Sequence, residues 1–170
     1  MVWSRLVLSS WEPVFSTQAE VGATLTGLLF LALSINLKEI LRYDGLTGRA
    51  GEALILLLTP VFVGIVGVLP QRSYRSLGAE LLGIGIAGWA AVSIILARAD
   101  TTRKLSPGSE RTRRAIRAVM AEVAGLPGIA GGAILLTGHE GGLWLQVVGT
   151  LLCVLVGITD VWVLLVEIHR

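Results

Sequence analysis

Asp160 is the side chain in this sequence whose position points most clearly to chemistry. Nineteen uncharged residues precede it, and six apolar residues follow it before Glu167. An ionisable group so far from water is costly unless it is paired, so it marks either a structural contact or a site that binds and releases a proton or cation. Both roles require neighbouring helices that bring polar groups to it.

Other polar residues lie on the same helical face as Asp160. Gln146, Cys153 and Asp160 recur every seven positions, a spacing that places them on one side of a helix. Glycines and a threonine between them line the same stripe, whereas the opposite side is rich in Leu and Val. We expect the polar side to point into a bundle, since a polar seam along a membrane helix must meet protein or water.

Depth within the predicted membrane spans separates two groups of polar residues. Counted from the span centres, the first group lies ~8–12 Å toward one face of the membrane and comprises Asp160, Glu122 and Asn36. We expect these three to form an intramembrane polar site, with Asp160 hydrogen-bonded to Asn36 or Thr159. The second group lies at a similar distance on the other side, as a looser outer polar cluster, and comprises Glu20, Glu80 and Gln146.

Four glutamates also have a purely structural interpretation. A carboxylate near the start of a helix is stabilised by unpaired backbone N–H groups and by the helix dipole. These glutamates are Glu20, Glu52, Glu80 and Glu122. The interpretation suits Glu52 best, because it is the closest to water, whereas the other three lie a turn or more inside apolar runs.

The composition requires that these residues be held within a membrane. The 170 residues are 54% hydrophobic and 15% charged, with a mean hydropathy of +0.76. A water-soluble domain has about a quarter charged residues, so much of this surface must face lipid. One cysteine and two histidines cannot supply an intramolecular disulfide or a multi-histidine metal or haem site. We therefore expect no cofactor, no metal and no enzymatic activity.

Hydrophobic runs of membrane-spanning length predict an all-α bundle of five transmembrane helices in a single domain, residues 1–170. The five spans are residues 18–37, 53–69, 77–97, 118–137 and 141–166. Residues 98–117 hold nine of the charged residues and are expected to form an aqueous loop. The connection between the last two spans is so short that they should form an antiparallel hairpin.

The first fifteen residues predict a separate helix along the membrane surface. Trp3, Trp11 and Phe15 belong to an apolar face whose members are spaced by three and four, opposite serines and charged residues. This pattern is typical of a segment that lies in the headgroup plane. We therefore expect an N-terminal interfacial amphipathic helix before the first span.

The distribution of lysine and arginine predicts the orientation of the bundle. Three basic residues fall on the face that holds the N-terminus and eleven fall on the other, which should be cytoplasmic. The N-terminus is then outside and the C-terminus cytoplasmic. Seven of the eleven lie in the loop 98–117, where they should attract anionic lipid of the bilayer; we expect no nucleic-acid partner.

The sequence of the first span also resembles that of other membrane proteins. Residues 22–37 read GATLTGLLFLALSINL and follow Trp11 and Phe15. This string resembles the opening of a group of small, uncharacterised bacterial multi-span membrane proteins, whose first helix reads roughly TGLLFVALSIN. The resemblance implies a bacterial plasma (inner) membrane and implies no activity. It singles out Ser34 and Asn36 in the first span.

Two functions fit these features. The first is a non-enzymatic scaffold or accessory subunit that acts through helix–helix contacts, as a homo-oligomer or with another membrane protein. The second is a proton or cation pathway, in a channel or transporter, that uses Asp160 and Glu122. The scaffold function predicts that Asp160 is paired. We favour it, because isolated carboxylates in membrane helices are more often structural than part of a pathway.

Overall fold

Six α-helices form the regular structure of the described residues. The computed structural model describes residues 2–42, 45–70, 73–102 and 108–168. The helices are α1 (Val2–Ile35), α2 (Leu37–Arg42), α3 (Leu46–Val68), α4 (Tyr74–Thr102), α5 (Gly108–Leu136) and α6 (Gly141–Ile168). The described ranges contain no strand, in agreement with the all-α fold that the sequence predicts.

Five of these helices are long and apolar enough to cross a bilayer, which confirms the predicted membrane bundle. The candidate spans are Leu8–Ile35, Leu46–Val68, Tyr74–Arg98, Ala118–Leu136 and Gly141–Val166. The last two agree closely with the predicted bounds. The first three begin earlier in the chain than hydropathy indicates.

The interfacial N-terminal helix expected from the sequence is not seen as a separate element. α1 is one continuous helix that contains Pro13. Its apolar face near the N-terminus is packed on the bundle, since Leu8 and Phe15 are buried in an apolar cluster with Trp11 beside them. Protein contacts therefore take the place of the headgroup contacts that we expected for this face.

The second span begins before the apolar run that predicts it. α3 starts at Leu46, after Gly45, whose φ of 99° is a left-handed conformation that glycine adopts readily. Leu46 and Ala50 are buried, so the core face of α3 reaches into the connection between the first two predicted spans. Arg49 and Glu52 consequently belong to a spanning helix, and Glu52 lies beyond its first turn.

The expected aqueous loop 98–117 is shorter than predicted. α4 continues to Thr102 and α5 begins at Gly108, while residues 103–107 lie outside the described part of the chain. A helix can continue past the hydrocarbon, because its backbone hydrogen bonds are made within the helix whatever the side chains are. Hydropathy therefore predicts where a span leaves the membrane better than it predicts where the helix ends.

α3 is the central helix of the bundle. It packs against α1, α4 and α6, and α5 packs against both α4 and α6. The helices α3, α4, α5 and α6 therefore form a closed ring, and α1 lies on the outside of α3. The bundle leaves an apolar surface for lipid, which on α6 includes the exposed side chains Trp144, Val148, Leu151, Leu155, Ile158 and Trp162.

α5 and α6 form the antiparallel hairpin that the short connection predicts. Gly138, with a φ of 91°, closes the turn between them. The two helices then approach closely: a Cβ atom built on Gly149 would lie 2.6 Å from the backbone nitrogen of Gly128. Without side chains at this contact, the helix backbones can pack against each other directly.

Candidate functional site

An ion pair joins α3 to α6 inside the bundle. Nε of Arg49 lies 3.9 Å from Oδ1 of Asp160, and their side chains are 18% and 7% exposed. Asp160 faces inward on α6, as the sequence predicts. Its partner, however, is an arginine that lies between the first two predicted spans.

Glu52 is the third charged residue of this region and is fully buried. It follows Arg49 by three positions on α3, so the two side chains lie on the same face of the helix. None of Arg49, Glu52 and Asp160 is isolated, since each takes part in further interactions. We call these three residues the charged cluster. The helix-start interpretation of Glu52 is wrong, because the carboxylate lies too far along α3 to meet unpaired N–H groups.

The two hydrogen-bonding partners expected for Asp160 use their side chains elsewhere. The Asn36 amide donates to the backbone oxygen of Ala32, at 2.9 Å. The Thr159 hydroxyl donates to the backbone oxygen of Leu155, at 2.8 Å, on the exposed side of α6. Both hydrogen bonds are made to a backbone oxygen four residues earlier in the chain. This is a common way for hydroxyl and amide donors in a membrane helix to find an acceptor.

Glu122 is engaged by α4. Its carboxylate accepts a hydrogen bond from Nε1 of Trp89 and a second, at 3.3 Å, from the Ser93 hydroxyl. Asp160, by contrast, pairs with α3. The structure therefore gives Glu122, Asn36 and Asp160 different partners in different helices. The hydrogen bond from Trp89 to Glu122 could not be predicted from the spacing of residues in the sequence, because it depends on the orientation of α4 about its axis relative to α5.

The residues of the expected outer polar cluster lie on different surfaces. Gln146 is only 3% exposed and faces the interior of the ring. Glu20 and Glu80 are exposed on the outside of α1 and α4. The Glu20 carboxylate accepts a hydrogen bond of 3.0 Å from the Ser16 hydroxyl one turn earlier.

A small cavity of about 30 Å³ lies inside the ring of α3, α4, α5 and α6. Each helix contributes four residues to its lining, and no lining side chain is charged. Gln146 and Thr150 are the buried polar side chains that α6 supplies. An apolar cluster adjoins this cavity, shares three of its residues with the lining, and consists of Leu56, Ala124, Cys153 and Val156.

Comparisons of the chain with protein-family models, with curated proteins and with solved structures gave no match. The site must therefore be judged from its own residues. In the described part of the chain, no three His, Cys, Asp or Glu residues are grouped so that they could hold a metal ion.

A polar stripe runs along the outer surface of α1. Its members are all exposed and are spaced by four and three residues in alternation: Glu20, Thr24, Gly27, Leu31 and Ser34. We call these five residues the α1 stripe. A Cβ atom on Gly27 would meet nothing within 4 Å, so no described residue covers the middle of the stripe. Alternating steps of four and three are the spacing of a seam between two helices.

Proposed function

We propose that this chain is a non-enzymatic membrane scaffold or accessory subunit that acts through helix–helix contacts, and that the α1 stripe contacts a second copy of the chain. The observation that carries the proposal is the exposed carboxylate of Glu20 on the outer surface of a spanning helix. Lipid cannot solvate such a group, so another protein surface has to cover it.

The depth of Glu20 follows from its neighbours in the sequence. A Cβ on Gly22 would lie 3.0 Å from the Cβ of Pro60, and one on Gly64 would lie 2.5 Å from the nitrogen of Ala19. Glu20 is thus level with the part of α3 between Pro60 and Gly64. That level is about 8 Å from the middle of α3, well inside a hydrocarbon core whose half-thickness is about 15 Å.

A second copy is favoured because the α1 stripe is complementary to itself. In a symmetric parallel pair, residues at equal depth face each other. The two Glu20 carboxyl groups would then meet, and neighbouring carboxyl groups can share a proton in a hydrogen bond. Gly27 would face Gly27, where the absence of side chains allows the backbones to approach.

Cysteine crosslinking tests this contact. In a Cys153→Ala background, Gly27→Cys is expected to form disulfide-linked dimers in membranes after oxidation. Leu151→Cys serves as the matched control, because it is 61% exposed on the lipid-facing surface of α6 and should stay monomeric. Absence of Gly27→Cys dimers, or equal dimer formation at both positions, would rule out the proposed contact.

Substitution of Glu20 tests the chemical basis of the contact. Glu20→Leu should lower the dimer fraction about tenfold, since removal of interhelical hydrogen bonds in a membrane costs about 1–2 kcal/mol. Glu20→Gln should retain most dimers, because amide groups also pair through hydrogen bonds. If Glu20→Leu dimerises like the original chain, the carboxylate does not support assembly.

A proton or cation pathway is the second candidate, favoured by the burial of the charged cluster at membrane depth. The uncharged lining of the cavity and the apolar cluster beside it argue for the scaffold function instead. Flux into liposomes, driven by voltage or a pH gradient, distinguishes the two. The pathway function requires flux that Asp160→Asn abolishes, whereas the scaffold function requires no flux above protein-free liposomes.

We propose a bacterial plasma membrane as the location, with the N-terminus outside and the C-terminus cytoplasmic. The resemblance of the first span supports the membrane, and the eleven-to-three distribution of basic residues supports the orientation. The basic residues within 98–117 would then meet the anionic lipids of the cytoplasmic leaflet.

A further inference from the structure

Glu122 places a carboxylate at membrane depth in the groove between α4 and α5. It lies five positions from residue 127, the middle of the candidate span Ala118–Leu136, which is about 7 Å along the helix. Trp89 lies three positions from residue 86, the middle of the span Tyr74–Arg98. Because the hydrocarbon core has a half-thickness of about 15 Å, both side chains are well below the lipid headgroups.

Two uncharged donors of α4 hold this carboxylate in place. Nε1 of Trp89 and the hydroxyl of Ser93 both donate to it, the second at 3.3 Å. Among the described residues, the ion pairs do not include Glu122. The carboxylate is therefore positioned by neutral groups, and the described side chains bring no positive charge into contact with it. An uncompensated charge in hydrocarbon is costly, so the site favours a cation from outside the protein.

The indole of Trp89 adds an aromatic surface to this site. It is 40% exposed, although it belongs to a spanning helix. Part of the ring lies over α5, since a Cβ atom built on Gly125 would be 3.5 Å from Cδ1 of Trp89. Gly125 follows Glu122 by three positions, so the two lie on the same face of α5. Because the indole and the carboxylate touch and neither is buried, they share one opening toward lipid.

The rim of this opening is apolar and bulky. On α5, three branched side chains near Glu122 are between 50% and 59% exposed: Val119, Val123 and Leu126. Contacts between membrane helices are enriched in small residues, which let the backbones approach, as Gly27 does in the α1 stripe. Branched side chains at the rim instead suit contact with lipid, or with a small molecule that enters from lipid.

The chemistry of the site selects a cation with an apolar body. A carboxylate attracts a positive charge, and the face of an indole does so as well. The depth excludes a lipid headgroup or a hydrated metal ion, because neither leaves water for hydrocarbon at low cost. An organic cation whose charge is spread over a large apolar molecule can reach this depth through the bilayer.

We propose that the groove at Trp89, Ser93 and Glu122 binds a lipophilic organic cation from the bilayer. The positive charge lies beside the Glu122 carboxylate, and an apolar part of the cation packs on the indole of Trp89. We call these three residues the cation site. It belongs to α4 and α5, whereas the α1 stripe and the charged cluster belong to other helices. Binding therefore depends neither on a dimer nor on transport.

Binding of radiolabelled tetraphenylphosphonium tests the proposal. The full chain in nanodiscs of phosphatidylcholine, a lipid with no net charge, should bind this cation saturably and above the level of protein-free nanodiscs. Tetraphenylborate is an anion of the same shape, and it should not bind above that level. Absence of saturable cation binding would overturn the proposal. So would equal binding of the two ions, which would show a purely apolar groove.

Substitution of Glu122 tests the role of its charge. Glu122→Gln should lower the affinity for tetraphenylphosphonium at least about thirtyfold, the effect of removing one member of a desolvated charge pair. The fold should be kept, because the amide oxygen can still accept the hydrogen bond from Trp89. Glu80→Gln is the matched control: Glu80 is also exposed on α4, but nine positions from Trp89 place it on the opposite side of the helix. Unchanged affinity of Glu122→Gln would overturn the proposal.

Substitution of Trp89 tests the aromatic contact. Trp89→Leu should lower the affinity about tenfold, because the interaction of the cation with the ring is lost. Trp89→Phe keeps an aromatic face and should lower the affinity less. Equal affinities of the two variants would show that the indole does not contact the cation.

Chemical modification locates the bound cation on the original chain. Dicyclohexylcarbodiimide is a lipid-soluble reagent for carboxyl groups, and its adducts can be mapped by mass spectrometry. Tetraphenylphosphonium should protect Glu122 from modification and leave the modification of Glu80 unchanged. Equal modification of Glu122 with and without the cation would show that this carboxyl group binds only a proton, and the proposal would then be wrong.

Discussion

The guanidinium of Arg49 and the carboxylate of Asp160 meet between the second and last membrane helices, with Nε and Oδ1 3.9 Å apart. Both side chains are largely withdrawn from solvent. A pair of this kind adds little net stability compared with apolar side chains, but removal of one member leaves an uncompensated charge. The pair therefore aligns α3 with α6. Removal of one of the two residues should destabilise the bundle more than the intact pair stabilises it.

This asymmetry gives a prediction for single and double substitutions. Asp160→Leu should lower the free energy of unfolding by about 3 kcal/mol, because the buried guanidinium of Arg49 then loses the carboxylate of Asp160. The double variant Arg49→Met/Asp160→Leu should lose less than the sum of the two single variants, because their mutual contact is already lost in either single variant. Unfolding in SDS, followed by circular dichroism, measures both. Strictly additive losses would show that the two residues do not interact.

The contact between α5 and α6 predicts opposite effects on stability for alanine substitution at two glycines that face each other, Gly149 of α6 and Gly128 of α5. Gly149→Ala should weaken or prevent folding, because its Cβ would lie 2.6 Å from a backbone nitrogen of α5. Gly128→Ala should be neutral or stabilising by up to about 1 kcal/mol, since its Cβ would lie 3.8 Å from the Gln146 amide. Thermal unfolding in detergent compares the two. Similar effects of both substitutions would contradict this packing.

The position of the N-terminal part of α1 is tested by two neighbouring residues. Phe15 is 2% exposed, so Phe15→Ala should destabilise the bundle by about 3 kcal/mol. Val14 is 36% exposed, and Val14→Ala should cost less than about 1 kcal/mol. Unfolding in SDS again provides the measurement. Equal, small effects would place this segment on the membrane surface, as the sequence alone suggested.

The proposed orientation predicts which positions react from outside the cell. In a Cys153→Ala background, His139→Cys should react with a membrane-impermeant maleimide added to intact cells, whereas Thr47→Cys should react only after permeabilisation. Both positions are exposed, and they lie at opposite ends of the spanning helices. Labelling of both from the same side would require a different number of crossings.

The sequence predicts the spans and the inward side of α6 well, because both depend on local hydropathy and helical periodicity. Gln146 and Asp160 share one face whatever the other helices do, and both are buried. The short α5–α6 turn likewise leaves one arrangement for its two helices. These features need no knowledge of contacts between distant segments.

The partners of the buried polar groups could not be predicted in the same way. Arg49 looks like a loop residue because charged residues surround it, yet Leu46 and Ala50 continue the core face of α3 past it. Their spacing was the signal that a longer helix forms. The hydrogen bond from Trp89 to Glu122 depends on the rotation of α4, which no periodicity within α4 determines.

The ring of α3 to α6 also has a consequence for biosynthesis. Arg49 and Glu52 leave the ribosome long before Asp160, and the cavity has no fourth wall until α6 is inserted. The earlier helices therefore enter the bilayer before the carboxylate of Asp160 is available to Arg49. Insertion of the last helix therefore completes both the Arg49–Asp160 pair and the helix ring.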